Sequence, residues 1–118
     1  MKAEYIQPGN TIDYKNSGSV KIRYGAVVKL GSDRIGIAAS DIEAGELGAL
    51  HLCGVFTAPK VTGAVTIGQK LYYLEASDAL TTVASQEVES KTVSNNPVGW
   101  AVYAAASADA TVVVRLLG

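Results

Sequence analysis

Residues 36–55, GIAASDIEAGELGALHLCGV, decide the fold. They consist of an apolar segment, a small acidic corner and a second apolar segment. Residues 99–116, GWAVYAAASADATVVVRL, repeat this arrangement, and both stretches begin with Gly, an apolar residue and Ala. Short apolar segments separated by Gly-containing corners predict β-strands of a small barrel or sandwich.

The two halves of the chain share an order of parts. Gly25 and Gly36 of the first half correspond to Gly68 and Gly99 of the second. The second half is longer between these glycines, mostly in residues 75–96. A duplication explains this pattern, and so does a chance likeness between two stretches that are both rich in Gly and Ala.

Alternation of apolar and polar residues predicts the strands. We expect them at residues 26–30, 34–39, 47–56, 65–74, 80–83, 97–103 and 111–117. Residues 11–14 alternate as an isolated strand would, and residues 20–24 alternate up to the break at Gly25. A tight turn at residues 31–33 predicts a hairpin, and the polar residues 85–96 predict an exposed loop. Helix is confined to short turns at residues 41–47 and 102–110. The predicted fold is an all-β, Gly/Ala/Val-rich small barrel or sandwich.

The N-terminal segment differs from the rest of the chain. Residues 1–19 contain too few apolar side chains to form a core, so we expect an extended arm followed by a β-rich domain over residues 20–118. A frayed terminus is the alternative. Bulky side chains favour an arm that orders on a partner, because a solvated tail has little use for them; the predicted partner-binding residues are Tyr5, Ile6, Gln7, Pro8, Ile12 and Tyr14.

Composition excludes several classes of protein. The 118 residues carry a net charge of −1 without a basic stripe, which argues against nucleic acid and against an anionic membrane surface. A single cysteine excludes an internal disulfide. The N-terminus lacks the apolar run of a signal peptide, so we expect synthesis in the cytoplasm.

No set of residues predicts catalysis, a metal or a cofactor. His51 and Cys53 share one face of a predicted strand, but the chain has no further His or Cys to complete a zinc site. Two residues so placed on one strand also make a poor nucleophile–base pair without a third group to orient them. Asp41, Glu43 and Glu46 are typical of a solvated acidic turn, or of a docking patch for a basic partner. We expect Trp100 in the core.

The chain resembles the small phage head-decoration proteins, also called capsid cement proteins. The resemblance lies in the order and spacing of short motifs along nearly the whole chain: YIQPGNTIDY (5–14), GAVV (25–28), GIA (36–38), AGELG (44–48), GVF (54–56), PK (59–60), GQKLYY (68–73), GWA (99–101) and TVVVRL (111–116). The polar residues 82–96 match no feature of that family.

The resemblance implies a structural virion protein without enzymatic activity. It implies a homotrimer on the outer surface of an icosahedral capsid, whose N-terminal arms contact the major capsid protein and whose binding stabilises the expanded head. Two alternatives stay open. A virion-displayed carbohydrate-binding module predicts an exposed coplanar aromatic pair, and a small enzyme predicts a cleft with convergent polar side chains.

Overall fold

The structure, a computed structural model, describes residues 1–6 and 9–116 and is all-β, which confirms the predicted fold class. The strands are β1 (Thr11–Lys15), β2 (Val27–Leu30), β3 (Arg34–Ala38), β4 (Leu47–His51), β5 (Val55–Pro59), β6 (Lys70–Leu74), β7 (Ala79–Thr81), β8 (Ser85–Val88), β9 (Lys91–Ser94), β10 (Asn96–Ala101) and β11 (Thr111–Leu116). Within the described residues, the helical content is one 3-10 turn at Glu75–Ser77.

Three antiparallel sheets build a sandwich-like body and none closes into a barrel. One sheet has the order β1-β4-β3-β2, a second has the order β5-β11-β10-β6-β7, and β8 pairs with β9 as a separate ribbon. At the edges of the five-stranded sheet, an isolated bridge joins Lys60 to Leu80, and no strand ladder closes the sheet within the described residues. Of the two predicted architectures, the sandwich is therefore the one adopted.

The chain contains the same four-stranded unit twice. In the first repeat, β1 to β4, Thr11 lies opposite His51 and His51 lies opposite Ile37. In the second repeat, formed by β5, β6, β10 and β11, Val55 lies opposite Arg115 and Arg115 opposite Trp100 in the same way. The halves recognised from glycine spacing are thus structural repeats.

Corner hydrogen bonds follow the same repeat. Ile22 and Ile42 exchange backbone hydrogen bonds of 2.9 and 2.7 Å, and Val65 and Ala105 exchange two of 2.9 Å. Three of the four corners contain a glycine at φ +81°, a conformation that type II turns require and side chains oppose; these glycines are Gly25, Gly45 and Gly68. Local turn chemistry therefore fixes both repeats.

Each repeat has its own apolar core. In the first, Ala38, Ile42 and Leu50 are buried together. The larger core belongs to the second repeat and includes Ile35 and Ile37 of β3, so one face of the first repeat packs against the second. Buried apolar side chains of this size each stabilise a fold by about 1.5–3 kcal/mol. This shared core holds the two repeats in one body.

The prediction of one strand over residues 47–56 is wrong. Leu52, Cys53 and Gly54 separate β4 from β5, and the two strands belong to different sheets. Gly54 has a φ of +119°, which a side chain would oppose, and this residue lets the chain leave one sheet for the other. Both segments are apolar, so the sequence pattern hides the break.

The prediction of an exposed loop over residues 85–96 is also wrong in its backbone. β8 and β9 form a hairpin closed by the two residues Glu89 and Ser90, at φ 51° and 66°. Positive φ at both positions is the signature of a type I′ turn, which matches the twist of a hairpin. The usual sequence signal, Asn-Gly or Asp-Gly, is missing here.

Residues 11–15 of the predicted arm form strand β1 and pair with β4 over their whole length. Buried Asn16 fixes the following turn, because its side-chain amide donates hydrogen bonds to Val20 O at 2.8 Å and Ile42 O at 3.0 Å. The extended part of the described N-terminus is therefore Met1 to Ile6. The predicted boundary between residues 19 and 20 stays a prediction.

Candidate functional site

The N-terminal segment places bulky apolar side chains in solvent. Tyr5 and Ile6 are 82% and 84% exposed, and neither lies in a strand. Gln7 and Pro8, also predicted to bind the partner, lie outside the described residues. This stretch is the first candidate site, because Tyr5 and Ile6 are adjacent in sequence and are more exposed than any large apolar side chain of the strands and corners that the structure describes.

Ile12 and Tyr14 occupy a different environment. They are partly buried on β1 and pack against Ala38, Ile42 and Leu50 in the core of the first repeat. Their alternation with polar residues is that of an edge strand with one face inward. Within this chain they anchor the extended segment to the sheet, and their contact with a partner stays a prediction.

The extended segment joins the body beside the junction of the two repeats. Leu52 N–H donates to Asn10 O at 2.9 Å, and Cys53 Sγ lies 3.5 Å from Asn10 Oδ1. The next residue, Thr11, is the cross-strand partner of His51. The chain is therefore held firmly from Asn10 onward.

A second exposed surface lies on the outer face of the five-stranded sheet. Val55, Arg115, Trp100 and Lys70 are successive cross-strand partners on β5, β11, β10 and β6. We call these four residues the outer row. All four are exposed, and Trp100 retains 36% of its surface. The row combines one large aromatic ring with two cations.

The expectation that Trp100 lies in the core is wrong. Its equivalent in the first repeat is Ile37, which is buried against the second repeat, whereas no element covers the corresponding face of β10 in the described part of the chain. The alternation of side chains shows that neighbouring residues face opposite ways. It does not show which face another layer covers, and this is why sequence reasoning missed the outer row.

The aromatic residues of this sheet do not form the flat pair that a sugar platform needs. Lys70 Nζ lies 5.5 Å from the centre of the Tyr72 ring, and Lys70 is also the cross-strand partner of Trp100. A cation therefore occupies the space next to Tyr72. The ring pair found in the described residues is His51 with Phe56, tilted with centres 5.7 Å apart.

His51 and Cys53 do not share a strand face, because β4 ends at His51. Nor does any group of three or more His, Cys, Asp or Glu side chains among residues 1–6 and 9–116 come close enough to hold a metal ion. His51 instead lines a mainly apolar cavity of about 300 Å³ between the repeats, together with Val27, Ile37 and Phe56.

The acidic corner is partly compensated by a lysine. Lys21 Nζ lies 3.4 Å from Asp41 Oδ2 and 3.2 Å from Glu43 Oε1, and these contacts raise the pKa of Lys21. Tyr24 N–H donates to Asp41 Oδ1 at 2.7 Å and holds the pKa of Asp41 below its ordinary value. The corner is a hydrogen-bonded turn on the surface of the first repeat.

Buried polar groups serve the fold. Lys60, in the position equivalent to Asn16, donates from Nζ to the carbonyl oxygens of Val61, Gly63 and Ser107 at 3.2, 2.7 and 3.3 Å. Tyr73 donates its hydroxyl hydrogen to Asp78 Oδ1 at 2.6 Å, and burial, followed by this bond, raises the pKa of Tyr73. Both groups lock loops of the second repeat.

Comparisons with known proteins identify the family. No curated protein and no solved structure matches the chain. In the part that the structure describes, no helix has the length and apolar character to cross a membrane. A model of the phage cement proteins, however, matches residues 6–116. Since this match spans almost all 118 residues, the chain belongs to the phage cement protein family and has a structural role in the phage capsid.

Proposed function

We propose that this chain binds the outer surface of an icosahedral phage head and stabilises the expanded shell, with its N-terminal segment in contact with the major capsid protein. One observation carries the proposal beyond family membership. The segment Met1 to Ile6 lies outside any strand and presents Tyr5 and Ile6 to solvent, while β1, which begins at Thr11, belongs to a sheet. A rigid body with such a segment is suited to attachment.

The segment gains order when it binds. Fixing its backbone costs about 1–2 kcal/mol per residue, and contacts with the coat must offset this cost. Addition of an extended strand to an exposed coat-protein edge supplies backbone hydrogen bonds, and alternate side chains fill pockets. Tyr5 and Ile6 are adjacent and therefore point to opposite sides of such a strand, so one of them enters the coat while the other rests on its surface.

Binding to one state of the shell is sufficient for stabilisation. A ligand that binds the expanded shell and not the compact one shifts the equilibrium toward the expanded form in proportion to its occupancy. Three linked segments in a homotrimer raise the apparent affinity without a stronger single contact. The complex then sits on the virion surface, after synthesis in the host cytoplasm.

The test removes the segment and leaves the sheet intact. A chain without residues 2–6 retains β1 and the contacts of Ile12 and Tyr14. We expect its occupancy on expanded empty heads to fall at least about tenfold at limiting concentration. Circular dichroism and the melting temperature of the free protein should stay the same.

A matched control replaces an exposed apolar side chain elsewhere. Val93, 43% exposed on β9, becomes Ser in one variant, while Tyr5 and Ile6 both become Ser in another. The double variant should lose occupancy and the Val93 variant should not. Equal binding of all variants would remove the segment from the mechanism, and a wild-type chain that ignores expanded heads would refute the function itself.

A further inference from the structure

We propose that the outer row, Val55, Arg115, Trp100 and Lys70, binds a second copy of this chain; the inference rests on the homotrimer of the proposed function and names the surface that would assemble it. The argument begins with the internal repeat. The equivalent residues of the first repeat are Thr11, His51, Ile37 and Val27, listed in the same order across the sheet. This part of the fold therefore occurs twice, in two different environments.

In the first repeat the equivalent face is already an interface. Ile37 is 6% exposed and belongs to the core of the second repeat, and Val27 packs against the same cluster. The fold thus uses this face to join one repeat to another. In the second repeat the same face carries Trp100 and Lys70 and is left uncovered. Within the chain, a neighbouring repeat covers this face of the first repeat. By analogy, a repeat from another copy can cover the same face of the second repeat.

The residues of the outer row suit an interface that forms between separate, folded subunits. Trp, Tyr and Arg are the residue types that contribute most binding energy in protein complexes. Trp100 supplies apolar area, Arg115 and Lys70 keep the free face soluble, and Lys70 lies over Tyr72. At the equivalent positions of the first repeat, the apolar residues Ile37 and Val27 serve a permanent contact, whereas the mixture of Trp100 and cations suits a contact between separately folded copies.

The positive charge of the outer row indicates which surface of the second copy it contacts. The outer row contributes two cations. The corner of the first repeat carries Asp41, Glu43 and Glu46, against Lys21 and Arg23 close by, so the corner keeps an excess of negative charge. Docking of the row on this corner joins two different surfaces, head to tail. Such contacts close into a ring when the rotation between copies allows it.

The first experiment measures the mass of the purified protein in solution by light scattering and sedimentation, without any shell. We expect a closed oligomer for the wild type. Trp100→Ala should weaken association by at least about 30-fold, the effect of losing a central aromatic anchor. Tyr103→Ala, which removes an aromatic ring that is 64% exposed on a corner, is the matched control and should leave the mass unchanged.

A charge exchange keeps the test independent of any folding defect at Trp100. Docking of the outer row on the corner brings Arg115 of one copy to Glu46 of the next. Arg115→Glu should therefore dissociate the oligomer, and the same chain with Glu46→Lys added should reassemble, because the proposed charge pair is restored with its signs exchanged. A monomeric wild type, an oligomer insensitive to both Trp100→Ala and Arg115→Glu, or a double variant that stays dissociated would each overturn the proposal.

Binding of the Trp100→Ala variant to expanded heads tests whether the outer row contacts the coat instead. If Trp100→Ala keeps its oligomeric mass but loses occupancy on expanded heads, the outer row contacts the coat and the proposal of a second copy is refuted. This result would leave the proposed capsid-binding function standing. Failure of the wild type to bind heads would refute that function and leave the self-association experiment unaffected.

Discussion

Gly99→Ala should be among the most damaging substitutions in this chain. Gly99 lies opposite Leu116 where β10 pairs with β11. A Cβ atom at Gly99 would lie 1.8 Å from Arg115 O and 2.7 Å from Arg115 C, both of which are backbone atoms. Because no side chain can rotate away, the strands must separate by about 2 Å to reach ordinary contact distance.

Separating the two strands lowers the stability of the fold, because it weakens both the sheet and the core beneath it. Two or three ladder hydrogen bonds lengthen, at about 1 kcal/mol each. The core beneath them, formed by Val98, Val114 and Leu116, loosens at the same time. We expect a loss of about 4 kcal/mol in the free energy of unfolding, and for a chain of this length about 15 °C in melting temperature.

Gly36→Ala is the matched control, since Gly36 holds the equivalent position in the first repeat. There a Cβ would lie 3.0 Å from Cβ and Cδ1 of Leu50. Rotation of the side chain moves Cδ1 away, and a backbone adjustment of a few tenths of an ångström relieves the contact with Cβ. The expected loss is about 1 kcal/mol. Thermal and urea unfolding followed by circular dichroism compare the two variants. If Gly99→Ala melts within a few degrees of Gly36→Ala, the argument from backbone contact is wrong.

Three further predictions concern single contacts. Asp41→Asn should lower stability at neutral pH, because the pKa of Asp41 is lowered in the folded state. The difference in stability from the wild type should be present above pH 3.8, the ordinary pKa, and should fade as the pH falls through the folded pKa. Urea titrations at several pH values would detect it. Gly68→Ala, at φ +81°, should cost about 1–2 kcal/mol, whereas Gly9→Ala, with nothing within 4 Å of its added Cβ, should cost nothing measurable in the same unfolding assay; equal effects would exclude turn strain as the cause. Lys60→Met should cost about 2–3 kcal/mol because three loop carbonyl oxygens lose their donor, and amide exchange of residues 61–63 should accelerate; unchanged exchange would argue against this role.

The sequence predicts the parts of the fold that depend on local chemistry. Gly25 and Gly68 correspond because each turn needs a positive φ, and Gly36 and Gly99 correspond because each strand meets a close neighbour. Strand class follows from alternation over short segments. The turn and alternation signals act over a few residues, so they can be recognised without the tertiary structure. The contacts of Gly36 and Gly99, with Leu50 and Arg115, are distant in sequence, and those two glycines are recognised only because the pattern repeats.

Features that depend on tertiary packing cannot be predicted from these local patterns. At Gly54 the chain passes from one sheet to the other within an apolar stretch of sequence. Glu89 and Ser90 adopt positive φ although neither is a glycine. For the candidate site, bulk and isolation point to Tyr5 and Ile6, which the structure leaves exposed. The alternation around Ile12 gives no such guidance, because an edge strand in its own sheet and a strand added to a partner have the same pattern.

The ribbon of β8 and β9 has a practical consequence. Together with the 3-10 turn and β7, it takes the place that a three-residue turn occupies between β2 and β3, and its tip at Glu89 and Ser90 is exposed. Neither residue belongs to an apolar core. A foreign peptide spliced between them would extend outward as cargo, with its ends already held at hairpin spacing. The chain thus offers a grafting point for displaying epitopes that spares both the N-terminal segment and the outer row.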